Sequence, residues 1–305
     1  MKKFLTRLLL FCLLFIVIDR CFIILRNYSS TLEIDKRLER IINKEIKDDI
    51  LIFGSSRGAR NIIAKQIQDS LGVSSYNLSY PGGNIEYQLF ILKQVLKYHK
   101  PKIIVVAIDD NTELATSVNV NYRYDRLYPL VKYEVVREEL IRKGEKNKYL
   151  SDFFILHQLS KSNFDIRPKK FTEMDTIMSC GSMPIDGQTK TFKKEFSTIE
   201  RKYEISKEFE YKRKSFIEFM ELCNKAGIKL LLVFPPNYFK PCIPFYQRIE
   251  SLSKDKAYIL KYDINKYHSD DLFNDENHLQ RKGAVVFTDE IIQYIKKENL
   301  LISTK

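Results

Sequence analysis

From Phe4 to Leu25 the chain is apolar almost throughout: Leu8 to Ile18 is unbroken, Asp19 and Arg20 interrupt, and Cys21 to Leu25 resume. As a helix at about 1.5 Å per residue this stretch reaches about 33 Å, enough for the ~30 Å hydrocarbon layer of a bilayer. Lys2, Lys3 and Arg7 precede it, and no small-x-small cleavage pattern follows. The expectation is an uncleaved signal anchor with a cytoplasmic N-terminus and the main domain extracytoplasmic. A cleaved signal peptide and a buried helix of a soluble protein are the alternatives, in that order.

Beyond the anchor the pattern changes period. "SSTLEIDKRLERIINKEIKDD" reads as a polar stalk helix. Ile50–Phe53 is short, bulky and partly β-branched, as a buried strand requires, and Ala59–Leu71 follows with a helical apolar stripe. A short strand is expected at Ser75–Leu78, then a glycine loop. A helix capped by Asn84 comes next, and then a continuous apolar strand at Ile103–Ile108 of the kind found inside parallel sheets. From about Thr112 to Ser197 the alternation is lost, apart from a helix around Val131–Arg142. It returns with a helix over Tyr203–Ala226 ended by Gly227 and the strand "IKLLLVFPP". A helix near Gln247–Ser253, a strand near Ile259–Asp263 and a last helix from about Lys282 complete the chain. Strands alternating with helices of this length argue βαβ units and a layered α/β domain. The expected division is anchor 1–28, stalk 29–47, an α/β domain from 48–111 with 198–305, and an insertion or lid at 112–197.

Composition narrows the function classes. With 51 Lys and Arg against 39 Asp and Glu the 305-residue chain carries +12, but the two signs are interspersed. Lys169-Lys170, Arg201-Lys202 and Lys212-Arg213-Lys214 form local basic patches, read as solvated faces or as surfaces near a polyanion or anionic membrane. No zinc finger, RNA-binding motif or basic heptad region is present, so nucleic acid is not expected as a partner. Cys180, Cys223 and Cys242 outside the anchor have no CxxC spacing, and only four histidines occur. That describes neither a zinc site nor a multi-histidine centre; one disulfide and free core thiols both fit. No cofactor is expected.

Four polar features fall at strand ends, where ligands of open α/β sheets gather. They are Ser55-Ser56, Gly82-Gly83, Asp109-Asp110-Asn111, and Asp275 with His278 before the last helix. By itself the pattern around Ser56 reads first as a plain turn; a helix-capping hydroxyl is a further alternative. Acyl chemistry needs a hydroxyl nucleophile, an imidazole base, a carboxylate to orient it and donors for the oxyanion, and these positions supply each type.

These motifs resemble the SGNH/GDSL hydrolase superfamily, in particular its divergent membrane-anchored, cell-envelope members. "FGSSR" stands where the family has Gly-Asp-Ser, which implies Ser56 as nucleophile with Ser55 at the usual aspartate position. "YNLSYPGGN" is similar to the second block, implying that Gly82 gives its backbone N–H to the oxyanion. "VVAIDDNTE" resembles the third block, normally Gly-x-Asn-Asp, and implies Asn111 as the oxyanion-hole asparagine. "DENH" matches Asp-x-x-His, giving Asp275 and His278. The third block departs most: its glycine is missing, and Asp109-Asp110 bring negative charge toward a developing oxyanion unless they point away. The resemblance covers about 48–111 and 227–297. It implies a three-layer α/β/α sandwich with a parallel sheet and an N-terminal transmembrane helix.

The implied chemistry is ester hydrolysis or acyl transfer, with Ser56, His278 and Asp275 as the trio and the Ser56 and Gly82 N–H groups plus Asn111 as the oxyanion hole. Family and anchor together imply an acylated cell-envelope glycan or lipid-linked polymer as substrate. The competing expectation is a non-catalytic envelope protein that keeps the scaffold for binding or assembly.

Overall fold

The computed structural model of the chain describes residues 1–115, 120–167, 176–186 and 200–302. Lys169-Lys170 and the parts of the expected insertion at 116–119, 168–175 and 187–197 lie outside the described residues. The chain divides into two compact units, residues 1–39 with 123–170 and residues 40–122 with 171–305.

The larger unit is an α/β/α three-layer sandwich around five parallel strands: β1 Ile50–Gly54, β2 Ser75–Asn77, β3 Ile103–Ala107, β4 Lys229–Phe234 and β5 Tyr258–Lys261. Their order is β2-β1-β3-β4-β5, with Ile52 opposite Val105 and Val105 opposite Leu231. Parallel neighbours require crossovers, and helices on both faces supply them. Every residue of β1 and β3 is buried, which is why both read as continuous apolar runs. The two-residue period sorts their side chains. Ile50, Ile52 and Val105 join a core with Ile67, Phe287 and Ile291 beneath the helices Ala64–Leu71 and Arg281–Lys297. Phe53 and Phe234 point to the other face. There Phe53 meets Phe219 of the helix Glu210–Lys225 at 5.4 Å between ring centres, and Phe234 meets Phe245 of the helix Ile243–Ser253 at 6.2 Å.

Three elements differ from the sequence pattern. The stripe read as one helix over Ala59–Leu71 is two helices, Ser56–Asn61 and Ala64–Leu71, with Ile62 and Ile63 extended between them. Tertiary hydrogen bonds replace helical ones at the break: Asn77 Nδ2 donates to the Gly58 and Ile62 carbonyls at 2.9 and 3.0 Å. Ile63 N–H donates to Thr288 Oγ1 at 3.0 Å and Ala64 N–H to Ser182 Oγ at 2.9 Å. The helix expected from Tyr203 begins at Glu210, because Phe209 N–H bonds the Leu114 carbonyl at 2.9 Å and holds the chain extended there. Between the apolar helix and β1 the backbone is helical only at Ser30–Leu32 and Arg37–Ile42, shorter than the polar pattern predicts.

The smaller unit holds the apolar helix Lys2–Ser29, the one helix among the described residues long and apolar enough to cross a membrane. With it fold the short helices Tyr124–Leu127, Glu134–Arg142, Lys148–Phe153 and Ile155–Gln158. Arg126 pairs at 2.9 Å with the buried Glu33, and Arg37 pairs at 2.6 Å with the buried Asp35. The Arg37 bonds hold the Asp35 carboxyl below its ordinary pKa although burial alone pushes it up.

Candidate active site

In this strand order the chain changes direction across the sheet between β1 and β3, and the crevice at their C-terminal ends is where such sheets take ligands. β1 runs out at Gly54, whose φ of +152° suits glycine; a Cβ there would lie 2.9 Å from Ala107 Cβ on β3. This close approach turns the chain at once into a helix. Ser55 is its N-cap, its side chain accepting from Arg57 N–H at 3.3 Å, and Ser56 is its first residue. A residue in that place has no intrahelical acceptor for its N–H, so Ser56 combines a hydroxyl at the sheet edge with an orphan backbone donor.

The loop before the last helix comes to the same edge. His278 Nε2 lies 2.8 Å from Ser56 Oγ, and His278 Nδ1 lies 2.9 Å from both oxygens of Asp275. Asp275 Oδ1 also accepts the N–H groups of Asn277 and His278, each at 2.9 Å. One carboxylate therefore shapes the turn and aims the ring. Partial burial pushes the Asp275 carboxyl up, but the His278 hydrogen bond, its charge and the two N–H groups outweigh this and bring it to about 2. Asp275 is thus ionised at neutral pH, and its carboxylate on Nδ1 orients the ring so that Nε2 faces the Ser56 hydroxyl. Leu279 N–H donates at 3.0 Å to Oδ1 of the fully buried Asn61, at the end of the helix that Ser56 begins.

Gly82 and Asn111 make no hydrogen bond to this trio. Gly82 sits at φ +73° in the loop after β2; its carbonyl accepts from Asn121 N–H at 2.8 Å, and its own N–H has no acceptor among the described residues. Asn111 is half-buried in the turn Asp110–Thr112 that follows β3.

The two aspartates before Asn111 are handled differently. Asp110, at φ +51°, turns its carboxylate to Asn237 Nδ2 at 2.8 Å and to Arg201 Nη1. Asp109 is buried, with its pKa raised by burial against the opposing pull of Arg57, Ser55 and His278. Its N–H donates to Glu113 Oε2 at 2.7 Å, and Glu113 is itself pushed up to about 8 by burial and by Asp109. Lys212, almost fully buried, donates at 2.8 Å to the Ala115 carbonyl; burial lowers its pKa while Glu113 and Asp109 pull it up. Arg57 is also buried and donates to the Pro235 carbonyl, a pairing within the unit.

Sequence reasoning singled out none of Asn61, Asn77 or Asn237, and it read Arg201 and Lys212 only as parts of solvated basic patches, whereas Arg201 pairs with Asp110 and Lys212 is buried. Asn77 and Ser182 are both fully buried, and Asn77 N–H takes the Cys180 carbonyl at 2.9 Å. The Cys180–Pro184 stretch docks against the Ser56 helix, Met183 N–H donating to the Ala59 carbonyl at 2.7 Å. All five cysteines are free thiols. Among the described residues no three His, Cys, Asp or Glu side chains group as a metal site.

No family model and no curated protein matches the chain. Solved structures do. One is the psychrotrophic esterase EstA from Pseudoalteromonas sp., in a structure inhibited by monoethylphosphonate. It is 13% identical, with 81% of this chain and 96% of that one covered at a TM-score of 0.42. Another is a proposed acylhydrolase from Bacteroides fragilis, 12% identical, covering 87% and 97% at a TM-score of 0.41.

Proposed function

We propose that the chain is a membrane-anchored serine esterase or acyltransferase of the SGNH type, with its α/β unit outside the cytoplasm. The observation that supports this most is the relay Asp275–His278–Ser56, three side chains from two distant segments joined by hydrogen bonds of 2.8–2.9 Å.

In the proposed reaction Ser56 Oγ bonds to an acyl carbonyl carbon while its proton passes to His278 Nε2. Asp275 holds the resulting imidazolium. The oxyanion is met by the Ser56 and Gly82 N–H groups and the Asn111 side chain. Collapse of the tetrahedral species expels the alcohol, which takes the proton from His278. Water or an acceptor hydroxyl then attacks the acyl-enzyme with His278 again as base. The third-block aspartates do not forbid this: Asp110 is neutralised by Arg201, and burial favours the uncharged acid of Asp109.

The substrate class that fits the anchor and the chemistry is an acylated envelope glycan or lipid-linked polymer. The test is labelling of the full chain with a fluorophosphonate probe. Wild type labels and S56A does not, while H278A labels far more slowly. Undiminished labelling of S56A overturns the assignment of the nucleophile.

A further inference from the structure

Asp19 and Arg20 are the residues that spoil the apolar helix, and the structure gives both a partner. Asp19 is only 4% exposed, its Oδ2 and Oδ1 accepting the N–H groups of Ile155 and Leu156 at 2.9 and 3.0 Å. The carboxylate thereby satisfies the orphan donors at the start of the helix Ile155–Gln158. Arg20 Nη2 donates to the Phe153 carbonyl at 3.0 Å. Phe15 packs edge-on to Phe154 at 5.7 Å, and Phe22 to Phe164 at 6.2 Å. The segment from Lys148 to Ile166 is therefore clamped along about 10 Å of the helix, the rise from Phe15 to Phe22.

Bilayer thickness then fixes its depth. Phe4 to Ile18 covers about 22 Å, so a ~30 Å core must take in several residues past Asp19. By that count residues 15–22 lie within about 12 Å of the hydrocarbon boundary, so whatever is held there sits at or just inside the interface, not in bulk water. The outer surface of the clamped segment suits that place. Tyr149, Phe153 and Ile166 are 74%, 69% and 57% exposed, and Leu150, Leu156 and Phe164 are exposed as well. Lys161 stands among them, with Lys148 and Arg167 paired to Asp152 and Asp165 at 3.7 and 2.7 Å, so that aromatic and charged side chains mix as they do at the headgroup boundary.

We propose that residues 148–166 form a second membrane contact, lying in the interfacial layer of the leaflet from which the anchor emerges. This rests on the reading of Lys2–Ser29 as a membrane-spanning helix. It makes Asp19 the link between spanning and interfacial segments, and explains why a carboxylate is kept inside an anchor.

The natural chain has no tryptophan, so single tryptophans report depth without background. Full-length F11W, Y149W and F153W are reconstituted in phosphatidylcholine–phosphatidylglycerol vesicles with lipids brominated near the headgroup or near the chain end. Expected is stronger quenching of Y149W and F153W by the shallow bromines, with blue-shifted emission, and of F11W by the deep ones. Tyr149 is mostly exposed, so its replacement removes little packing. Quenching of F11W with Y149W and F153W unquenched and water-like overturns the second contact and leaves the anchor standing. Loss of quenching at all three positions overturns both.

Discussion

Leu279 N–H donates to Asn61 Oδ1 at 3.0 Å, tying the residue after His278 to the last residue of the helix that starts with Ser56. The distance between the proposed base and nucleophile is thus set by a buried amide as well as by their own hydrogen bond. In N61A the Leu279 N–H loses its buried acceptor, which costs about 1–3 kcal/mol. The expected result is a lower Tm together with a fall in kcat larger than the rise in KM, read from thermal melts and ester kinetics. Unchanged kinetics in a destabilised N61A would leave Asn61 with a folding role only.

Replacing Ser56 or His278 by alanine removes members of one relay, so the losses should not add. Each single variant and the double variant are expected to lose turnover by a similar factor, about 10³-fold or more. Circular dichroism should remain native, since neither side chain fills the core. Multiplicative losses in S56A/H278A would mean that the two act independently.

Asp110 and Arg201 form a partly buried pair at the end of β3, so removing the cation alone leaves a poorly solvated carboxylate beside the proposed oxyanion site. R201A should lower kcat/KM by roughly ten-fold or more, and D110N/R201A should recover much of that loss. Asparagine also tolerates the positive φ at residue 110. Equal activity of R201A and D110N/R201A would sink the electrostatic reading.

The raised pKa of Glu113 has a definite sign in stability. Its ordinary value is 4.5 and the folded value is about 8, so between these pH values the folded chain holds a proton that the unfolded chain has released. Stability from this group is present at low pH and declines as pH rises through that window. The detergent-solubilised wild type should show a Tm that falls between about pH 5 and pH 8, and E113Q should flatten the curve. Parallel curves would mean that Glu113 is not the titrating group.

Gly54 should tolerate no side chain. G54A puts a Cβ 2.9 Å from Ala107 Cβ at φ +152°, and about 1–3 kcal/mol of strain is expected with displacement of Ser56. Reduced Tm together with reduced probe labelling is the predicted readout.

The periodicity by itself determined the layered α/β architecture. Strands buried on both faces must be apolar throughout, and Ile50–Gly54 and Ile103–Ala107 carry that requirement openly, as does the amphipathic helix capped by Asn84. The proposed trio Ser56, Asp275 and His278 was suggested by side-chain types at strand ends and by the motif resemblance, the Asp-x-x-His spacing being local; the structure joins the three by hydrogen bonds of 2.8–2.9 Å. The helix break at Ile62-Ile63, the late start at Glu210 and the roles of Asn61, Asn77 and Arg201 were not legible. Each depends on a hydrogen bond or ion pair between residues 15 to 225 positions apart, and local propensity has no access to such partners. Asp19 is the sharpest case. In the sequence it is a flaw in an apolar run; only the tertiary structure, by closing two backbone N–H groups onto it, makes it a joint.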